Sequence, residues 1–302
     1  MKIIRSLNDI ENDDEVLLTI GNFDGIHRGH HFLISELKKY KTQNEKIVVI
    51  TYIPHTKLFL NQISKDFLIT TPTEKYDLLN KEGVDYILEI NFDSEIAQMN
   101  ALSFFNKYVF IYKKIKKVVL GYDFRIGMNK ESSFEDVKSW CEKVNIEIKQ
   151  LDPLVFNNKV CSSTLIRDLI SNKSIEEANL FLNYSYFLNG LVIKGEGRGK
   201  KLKFPTINIK VDELKKIPPV GVYITETQIR NKKYKSISNI GFNPTFGGDF
   251  IKIETHILEF DQNIYGEFVK IMFIKFLRDE MKFNNVNDLV LQIANDINQA
   301  RG

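Results

Sequence analysis

The chain has 302 residues, 43% of them hydrophobic and 27% charged, and 42 lysines and arginines against 39 aspartates and glutamates give a net charge of +3. That is an ordinary globular composition, which excludes disorder and low-complexity repeats, and the length suggests two domains at roughly 100–200 residues each. So balanced a charge leaves no basic footprint for a nucleic-acid partner. Cys141 and Cys161 form neither a disulfide framework nor metal-ligand spacing, and are expected as buried free thiols. No apolar run approaches the ~18 residues of a membrane span. The N-terminus meets Glu11, Asp13, Asp14 and Glu15 with no apolar signal core before them. A cytoplasmic protein without a membrane partner is the expectation.

In chain order, Val16–Ile20 predicts a buried strand ending at Gly21, and His31–Tyr40 a helix with Phe32, Leu33 and Leu37 near helical spacing. Ile47–Tyr52 reads as a strand, Glu74–Lys81 as a helix, Val84–Ile90 as a strand, and Lys117–Leu120 as another, ending at Gly121. Alternating strands and helices predict a parallel α/β sheet, in which ligands sit at the carboxyl ends of strands. The residues just after Ile20 and Leu120 are therefore the candidates. A helix over Ile175–Leu182 closes this half, and residues 1–183 form the first predicted domain.

From residue 184 the texture changes. Leu188–Ile193, Val222–Thr227, Tyr234–Ile240, Ile253–Phe260 and Phe268–Phe276 alternate apolar and polar residues between glycine and proline turns, which predicts an antiparallel barrel. A helix over Asn287–Ala300 ends the second predicted domain, 184–302. The lysine-rich Lys113–Lys117 reads as a solvated face leading into a strand.

The segment from Gly21 through Phe23, Asp24, Gly25, His27 and Arg28 to His30 follows a strand and opens a helix. Glycines let backbone approach a ligand, and free N–H groups at a helix start attract phosphate. Either histidine alone reads better as a capping or surface residue. Together, strand, glycine turn and H-x-G-H resemble the nucleotidyltransferase signature, in which the histidines stabilise charge at the α-phosphate of ATP while pyrophosphate leaves. Gly121–Gly127, with Asp123 and Phe124, follows the second strand end. Ser163, Thr164 and Arg167 offer hydroxyls and a guanidinium at a helix start, suited to a triphosphate. A Ser/Thr helix cap explains the hydroxyls as well and leaves Arg167 over.

GNFDGIHRGH, GYDFRIG and SSTLIR, in this order, resemble the adenylyltransferase half of the prokaryotic bifunctional riboflavin kinase/FAD synthetase family. Tyr52, Thr56 and Ile126 depart from the family pattern at positions expected to wall a pocket. In the second half, Gly195, Gly197, Arg198, Gly199 and Lys200 make a glycine-rich basic loop, which on its own is also a flexible hairpin turn. Thr206 and Asn208, two apart on extended chain, put hard oxygens on one side, as Mg²⁺ requires; a turn with a local Asn hydrogen bond is the competing reading. GRGKKLKFPTIN, GVY, NIGFNPTF and ETHILEFDQNIYG are similar to the family's riboflavin kinase module.

That resemblance implies a Rossmann-like nucleotidyltransferase domain followed by an antiparallel riboflavin kinase barrel with a C-terminal helix. It implies phosphorylation of riboflavin by ATP to FMN, then transfer of AMP to FMN to give FAD and pyrophosphate. His27 and His30 are the implied catalytic residues of the transfer. Gly21, Phe23, Asp24, Gly25, Ser163, Thr164 and Arg167 are implied at its ATP, and Asp123 and Phe124 at its flavin. In the kinase the implied base is Glu254, otherwise an exposed strand residue, with Thr206 and Asn208 on Mg²⁺ and Arg278 near the flavin. Lys203 stands where the family has glycine, and Leu182-Asn183-Tyr184 replaces its usual linker. One working half, or a flavin-binding regulator, are the alternatives to a bifunctional enzyme.

Overall fold

Strands apolar on both faces must be covered on both faces. The computed structural model describes residues 1–11, 14–61, 63–195, 204–243 and 250–301. In it β1 (Lys2–Ile4), β2 (Glu15–Ile20), β3 (Glu45–Ile53), β4 (Tyr86–Asn91), β5 (Ile115–Leu120) and β6 (Glu147–Gln150) form one parallel sheet, in the order β1-β4-β3-β2-β5-β6. Leu17, Ile47, Val49, Ile87 and Val119 share a core with Leu33, Ile34 and Leu37 of α1 (Arg28–Lys38). After α2 (Thr56–Leu60), Leu79 of α3 (Pro72–Lys81) joins the same face. The alternate residues Val16, Leu18, Val48, Ile50, Leu88 and Val118 face the other way. Beyond α4 (Ser94–Gln98), they meet Phe104 and Phe105 of α5 (Ala101–Tyr108) and Val137 and Cys141 of α6 (Phe134–Lys143).

The strand order reverses between β2 and β5. The crevice outside the carboxyl ends of such a pair is where doubly wound sheets bind ligands, and the glycine turn after Ile20 and the one after Leu120 both open there. Both cysteines are free and buried, as expected, and burial pushes the Cys141 thiol up to about 12. The sequence patterning missed the short edge strands β1 and β6 and the helices α2, α4, α5 and α6. Tyr52 and Ile126, expected at a pocket wall, are buried in the apolar core.

Backbone contacts divide the chain into two compact units, Met1–Ser163 and Thr164–Gly302. After the short hairpin β7 (Val155–Phe156) and β8 (Lys159–Val160), the second unit takes α7 (Ser163–Ser171) from Thr164 onward and α8 (Ile175–Leu182), both upstream of the expected division at 183/184. The cause is local: Asn179 of α8 donates its Nδ2 to the Phe273 carbonyl at 2.8 Å and accepts from the Tyr186 amide at 2.6 Å.

In that unit β9 (Phe187–Ile193), β10 (Ile207–Lys210), β11 (Gly221–Ile229), β12 (Lys232–Asn243), β13 (Phe250–Ile257) and β14 (Phe268–Arg278) close into an antiparallel barrel, β10-β13-β12-β11-β14-β9, with β9 paired to β10. β13 stops at Ile257 rather than near Phe260, because the chain turns at Glu259, where φ is 56°. A ladder of buried hydroxyls crosses three strands: Thr227 to Ser236 at 2.8 Å, Ser236 to Thr225 at 2.9 Å, Thr225 to Ser238 at 2.9 Å, and Ser238 to Thr255 at 2.8 Å. Each hydroxyl can both give and accept, so the ladder satisfies its own members.

The C-terminal helix α9 (Val286–Arg301) lays Ile293, Ile297 and Ala300 against Val222, Ile224 and Ile237. Its buried Asp296 takes the Arg278 guanidinium at 2.7 Å from Nη2 and 3.1 Å from Nε, while Arg278 Nη1 donates to the Asp279 carbonyl at 3.0 Å. Removing one partner of such a pair strands the other charge. Asp296→Ala should therefore destabilise the barrel unit by about 3 kcal/mol, read from urea denaturation of the full chain.

Candidate active sites

The turn after β2 is held in a conformation that side chains disfavour. Phe23, Gly25 and Ile26 have φ of 51°, 89° and 36°, and backbone like this costs about 1–3 kcal/mol per non-glycine residue. What holds it is Asp24. Its buried carboxylate accepts from the Thr70 amide at 2.9 Å, the Ile69 amide at 3.2 Å and the Thr70 hydroxyl at 3.2 Å, and Gly25 N–H donates to that hydroxyl at 2.9 Å. At Gly25 a Cβ would lie 2.9 Å from Ile69 Cγ2. Phe23 and Ile26 anchor the turn in the core, and Ser163 Oγ donates to the Asp24 carbonyl at 2.8 Å.

This turn delivers His27 as the N-cap of α1. The Gly29 amide donates to His27 Nδ1 at 3.1 Å, and the His27 amide donates to His30 Nδ1 at 3.3 Å. A ring nitrogen that accepts from an amide carries no proton, so both imidazoles keep theirs on Nε2 and present it as a donor. The rings stack at 3.8 Å with 21° between planes, and Phe23 backs His30 at 4.8 Å. Desolvation first, then the electrostatic influence of the neighbouring His27, His31 and Lys75, holds His30 well below the usual imidazole range, so it is neutral at pH 7. Gly29 is what the spacing needs: a Cβ there would lie 3.0 Å from the His27 ring. A serine or aspartate cap would supply the helix start equally well, but not two Nε2–H donors.

At the end of β5, Phe124 N–H closes a turn on the Gly121 carbonyl at 3.2 Å, leaving Asp123 exposed and Phe124 packed against the core. Thr164 and Arg167 lie three apart on α7, in the second compact unit. No motif or periodicity signals the residues that brace the turn from α3 and β3. Lys75 Nζ donates to the Thr51 hydroxyl at 2.9 Å and the Asn22 carbonyl at 3.3 Å, and Asn22 Oδ1 accepts from the Thr56 amide at 3.2 Å.

On the barrel, Asn208 of β10 pairs in register with Glu254 of β13, which pairs with Asn239 of β12. Residues directly opposite in an antiparallel ladder project to one face, so the three form a row, with Thr206 just ahead of β10. Lys252 Nζ lies 2.8 Å from Glu254 Oε1, and Asn239 Nδ2 donates to Glu280 Oε1 at 3.2 Å. Asn208 is buried, and among the described residues its Oδ1 has no hydrogen-bond partner. Gly195 passes so close above it that a Cβ would lie 2.1 Å from Asn208 Nδ2. A buried amide oxygen left open under a glycine is a hard donor waiting for a ligand. Among the described residues no His/Cys/Asp/Glu cluster of three is placed for a metal. Gly197, Arg198, Gly199, Lys200 and Lys203 lie outside the described residues. The guanidinium of Arg278, expected at a flavin, is engaged by Asp296. Asn239 and Lys252 escaped the sequence because only strand register brings them beside Glu254.

A family model for FAD synthetase matches residues 9–165, and one for riboflavin kinase matches residues 182–302. A bifunctional riboflavin kinase/FMN adenylyltransferase of Listeria monocytogenes is 33% identical over 292 residues, covering 96% of this chain and 92% of its own. Those of Bacillus subtilis and Escherichia coli K12 are 29% and 28% identical, covering 96% and 100% of this chain and 93% and 97% of theirs. A crystal structure described as a macrolide-efflux protein from Streptococcus pneumoniae matches with a TM-score of 0.90 at 31% identity, over 99% of this chain and 98% of that one. No described helix here is long and apolar enough to cross a membrane. With both domains matched in sequence order across nearly the whole chain, the protein belongs to the bifunctional riboflavin kinase/FMN adenylyltransferase family, whose two transferase steps convert riboflavin and ATP to FMN and then FMN and ATP to FAD.

Proposed function

We propose that the two reactions divide at residue 183/184, with adenylyl transfer on residues 1–183 and riboflavin phosphorylation on residues 184–302. Family matches that end at residue 165 and resume at residue 182 support a division in this region. The observation that carries the first assignment is the stacked pair of imidazoles whose Nδ1 atoms accept from backbone amides.

In adenylyl transfer, an oxygen of the FMN phosphate forms a bond to the α-phosphorus of ATP as the bond to the bridging oxygen breaks and pyrophosphate leaves. Negative charge builds on the α-phosphate oxygens. The Nε2–H groups of His27 and His30 donate to it and need no proton transfer. The backbone from Gly21 through Phe23, Asp24 and Gly25 to the start of α1 approaches the phosphates. Asp24 contributes by anchoring that backbone. Ser163, Thr164 and Arg167 serve the triphosphate, and Asp123 and Phe124 the flavin.

In the kinase, the Glu254 carboxylate accepts the proton of the riboflavin 5′-hydroxyl as its oxygen attacks the γ-phosphorus. Gly195, Gly197, Arg198, Gly199 and Lys200 form the phosphate loop. The open Asn208 oxygen and Thr206 would hold Mg²⁺, which neutralises charge on the transferring phosphate when bound. Arg278 fixes α9 on the barrel through Asp296, and in this reading it stands near the flavin. The free buried thiols fit a reducing compartment, so a cytoplasmic location accompanies this reading.

Steady-state kinetics on both reactions tests each assignment. His30→Ala should lower kcat of FAD formation about 10²–10³-fold, leave the ATP KM nearly unchanged and spare FMN formation. A rise in KM alone would make the ring a binding group. Glu254→Gln should lower FMN formation by about 10²–10⁴-fold while FAD formation from supplied FMN persists. The atoms nearest a Cβ at Gly195 are those of the Asn208 amide, so Gly195→Ala pushes first against that side chain. It should leave the unfolding midpoint in place and raise the Mg²⁺ concentration needed for half-maximal FMN formation.

A further inference from the structure

Lys75 lies on α3 and is only 5% exposed. Burying an ammonium is costly unless it is paired, yet among the described residues none of its contacts is an ion pair. Its acceptors are one hydroxyl and one carbonyl, Thr51 Oγ1 at 2.9 Å and Asn22 O at 3.3 Å, for three N–H groups. Its surroundings explain why no described carboxylate reaches it. Asp24, on the turn after β2, spends its oxygens on the amides of Ile69 and Thr70. Glu89, on β4, is taken by Tyr76 and by Arg5. From α1 the facing group is His30, whose ring feels the Lys75 charge. On α3 itself the neighbour is the Tyr76 ring, 5.9 Å away.

A buried cation with no ion pair among the described residues, whose nearby carboxylates Asp24 and Glu89 act on it only through space, lies under a turn read as a polyphosphate cradle and gains from an arriving anion. We propose that Lys75 is a positioning residue of adenylyl transfer: its ammonium grips the Asn22 carbonyl to fix the turn that delivers His27 and His30, and its charge, in no ion pair among the described residues, is further balanced by the phosphates of the incoming ATP. This rests on the assignment of adenylyl transfer to that turn. It also accounts for the second brace. Asp24 ties the turn to residues 69–70 at the head of α3, and Lys75 ties it again from one turn into the same helix, so turn and helix form one rigid body.

The chemistry gives a signature that packing alone would not. Burial pulls the Lys75 ammonium down to about 8, against the raising influence of Asp24 and Glu89. Below that pH the group is charged and grips the carbonyl; above it the charge is lost. FAD formation at low ATP, which reports the free enzyme, should therefore fall as pH rises through about 8. Bound phosphates favour the charged form, so at saturating ATP the fall should move to higher pH. FMN formation by the same chain consumes the same ATP, so any titration of the nucleotide appears in both reactions and cancels in the comparison.

The test is a pH series of both reactions, from about pH 6.5 to about pH 9.5, for the wild-type chain, Lys75→Met and His30→Ala. The expected result is a basic limb in FAD formation only, shifted upward by ATP. Lys75→Met should lose that limb, with FAD formation lowered about 10²-fold at neutral pH and FMN formation unchanged. The wild-type limb needs no variant, so a Lys75→Met chain that fails to fold still leaves the proposal exposed. A wild-type limb that is absent, shared by both reactions or retained in Lys75→Met overturns it. If His30→Ala abolishes FAD formation while the Lys75 signature is missing, the turn keeps its role and Lys75 loses its own. If His30→Ala leaves FAD formation intact, the assignment of the turn falls and the proposal with it.

Discussion

One buried carboxylate sets the geometry of the first site. Asp24 takes two amides and a hydroxyl from residues 69–70, and in doing so holds Phe23 and Ile26 at positive φ. A chain relaxed to ordinary φ there would start α1 elsewhere, and neither histidine would find a backbone amide for its Nδ1. The strain is confined to residues whose side chains are buried on the same side of the sheet, Phe23 and Ile26. The packing that fills the core therefore also secures the turn. This is why motif and fold are not separable here: the residues that look catalytic are aimed by residues that look structural.

The barrel solves the same problem without strain. Register alone sets Asn208, Glu254 and Asn239 side by side on consecutive strands, and closure of the barrel fixes that register, since a slip of one residue in any pair would turn each side chain to the other face. Glycine does at the barrel what it does at the turn. Gly195 lets backbone cross over Asn208, as Gly29 lets the His27 ring lie on α1. In both places a Cβ would occupy space that the functional side chain needs.

The strands with apolar runs and the helices with clear periodicity were legible in the sequence, because burial on both faces of a parallel sheet and alternation in a barrel leave distinct patterns. The edge strands β1 and β6 are short and their burial is uneven, so neither pattern forms. The H-x-G-H spacing announced the histidines, but not that the middle glycine is required by the His27 ring. Nothing in the sequence sets Lys75 apart within the predicted helix Glu74–Lys81, and only the fold of α3 over Thr51 and Asn22 buries it. Arg278 was legible as a functional arginine by its motif, yet its partner Asp296 lies on another element, where no local pattern could reveal the pairing.

The two sites differ in the charge they present, and the difference follows the nucleophile. Riboflavin attacks with a neutral hydroxyl, which must lose a proton as it forms the new bond, and the proposed barrel site offers an acceptor, Glu254, with the Lys252 ammonium at 2.8 Å. FMN attacks with a phosphate that already carries between one and two negative charges near neutral pH. It has no proton that it must surrender, so a base would contribute little. The first site is built accordingly. The carboxylate on its turn, Asp24, is directed away into the 69–70 backbone, and its imidazoles are donors whose other nitrogens are already occupied. The buried charge beneath it that lacks a counter-ion among the described residues, Lys75, is positive. On the proposed assignment the two sites would thus answer their nucleophiles with different groups, a carboxylate where the acceptor must be ionised and an ammonium where it arrives ionised.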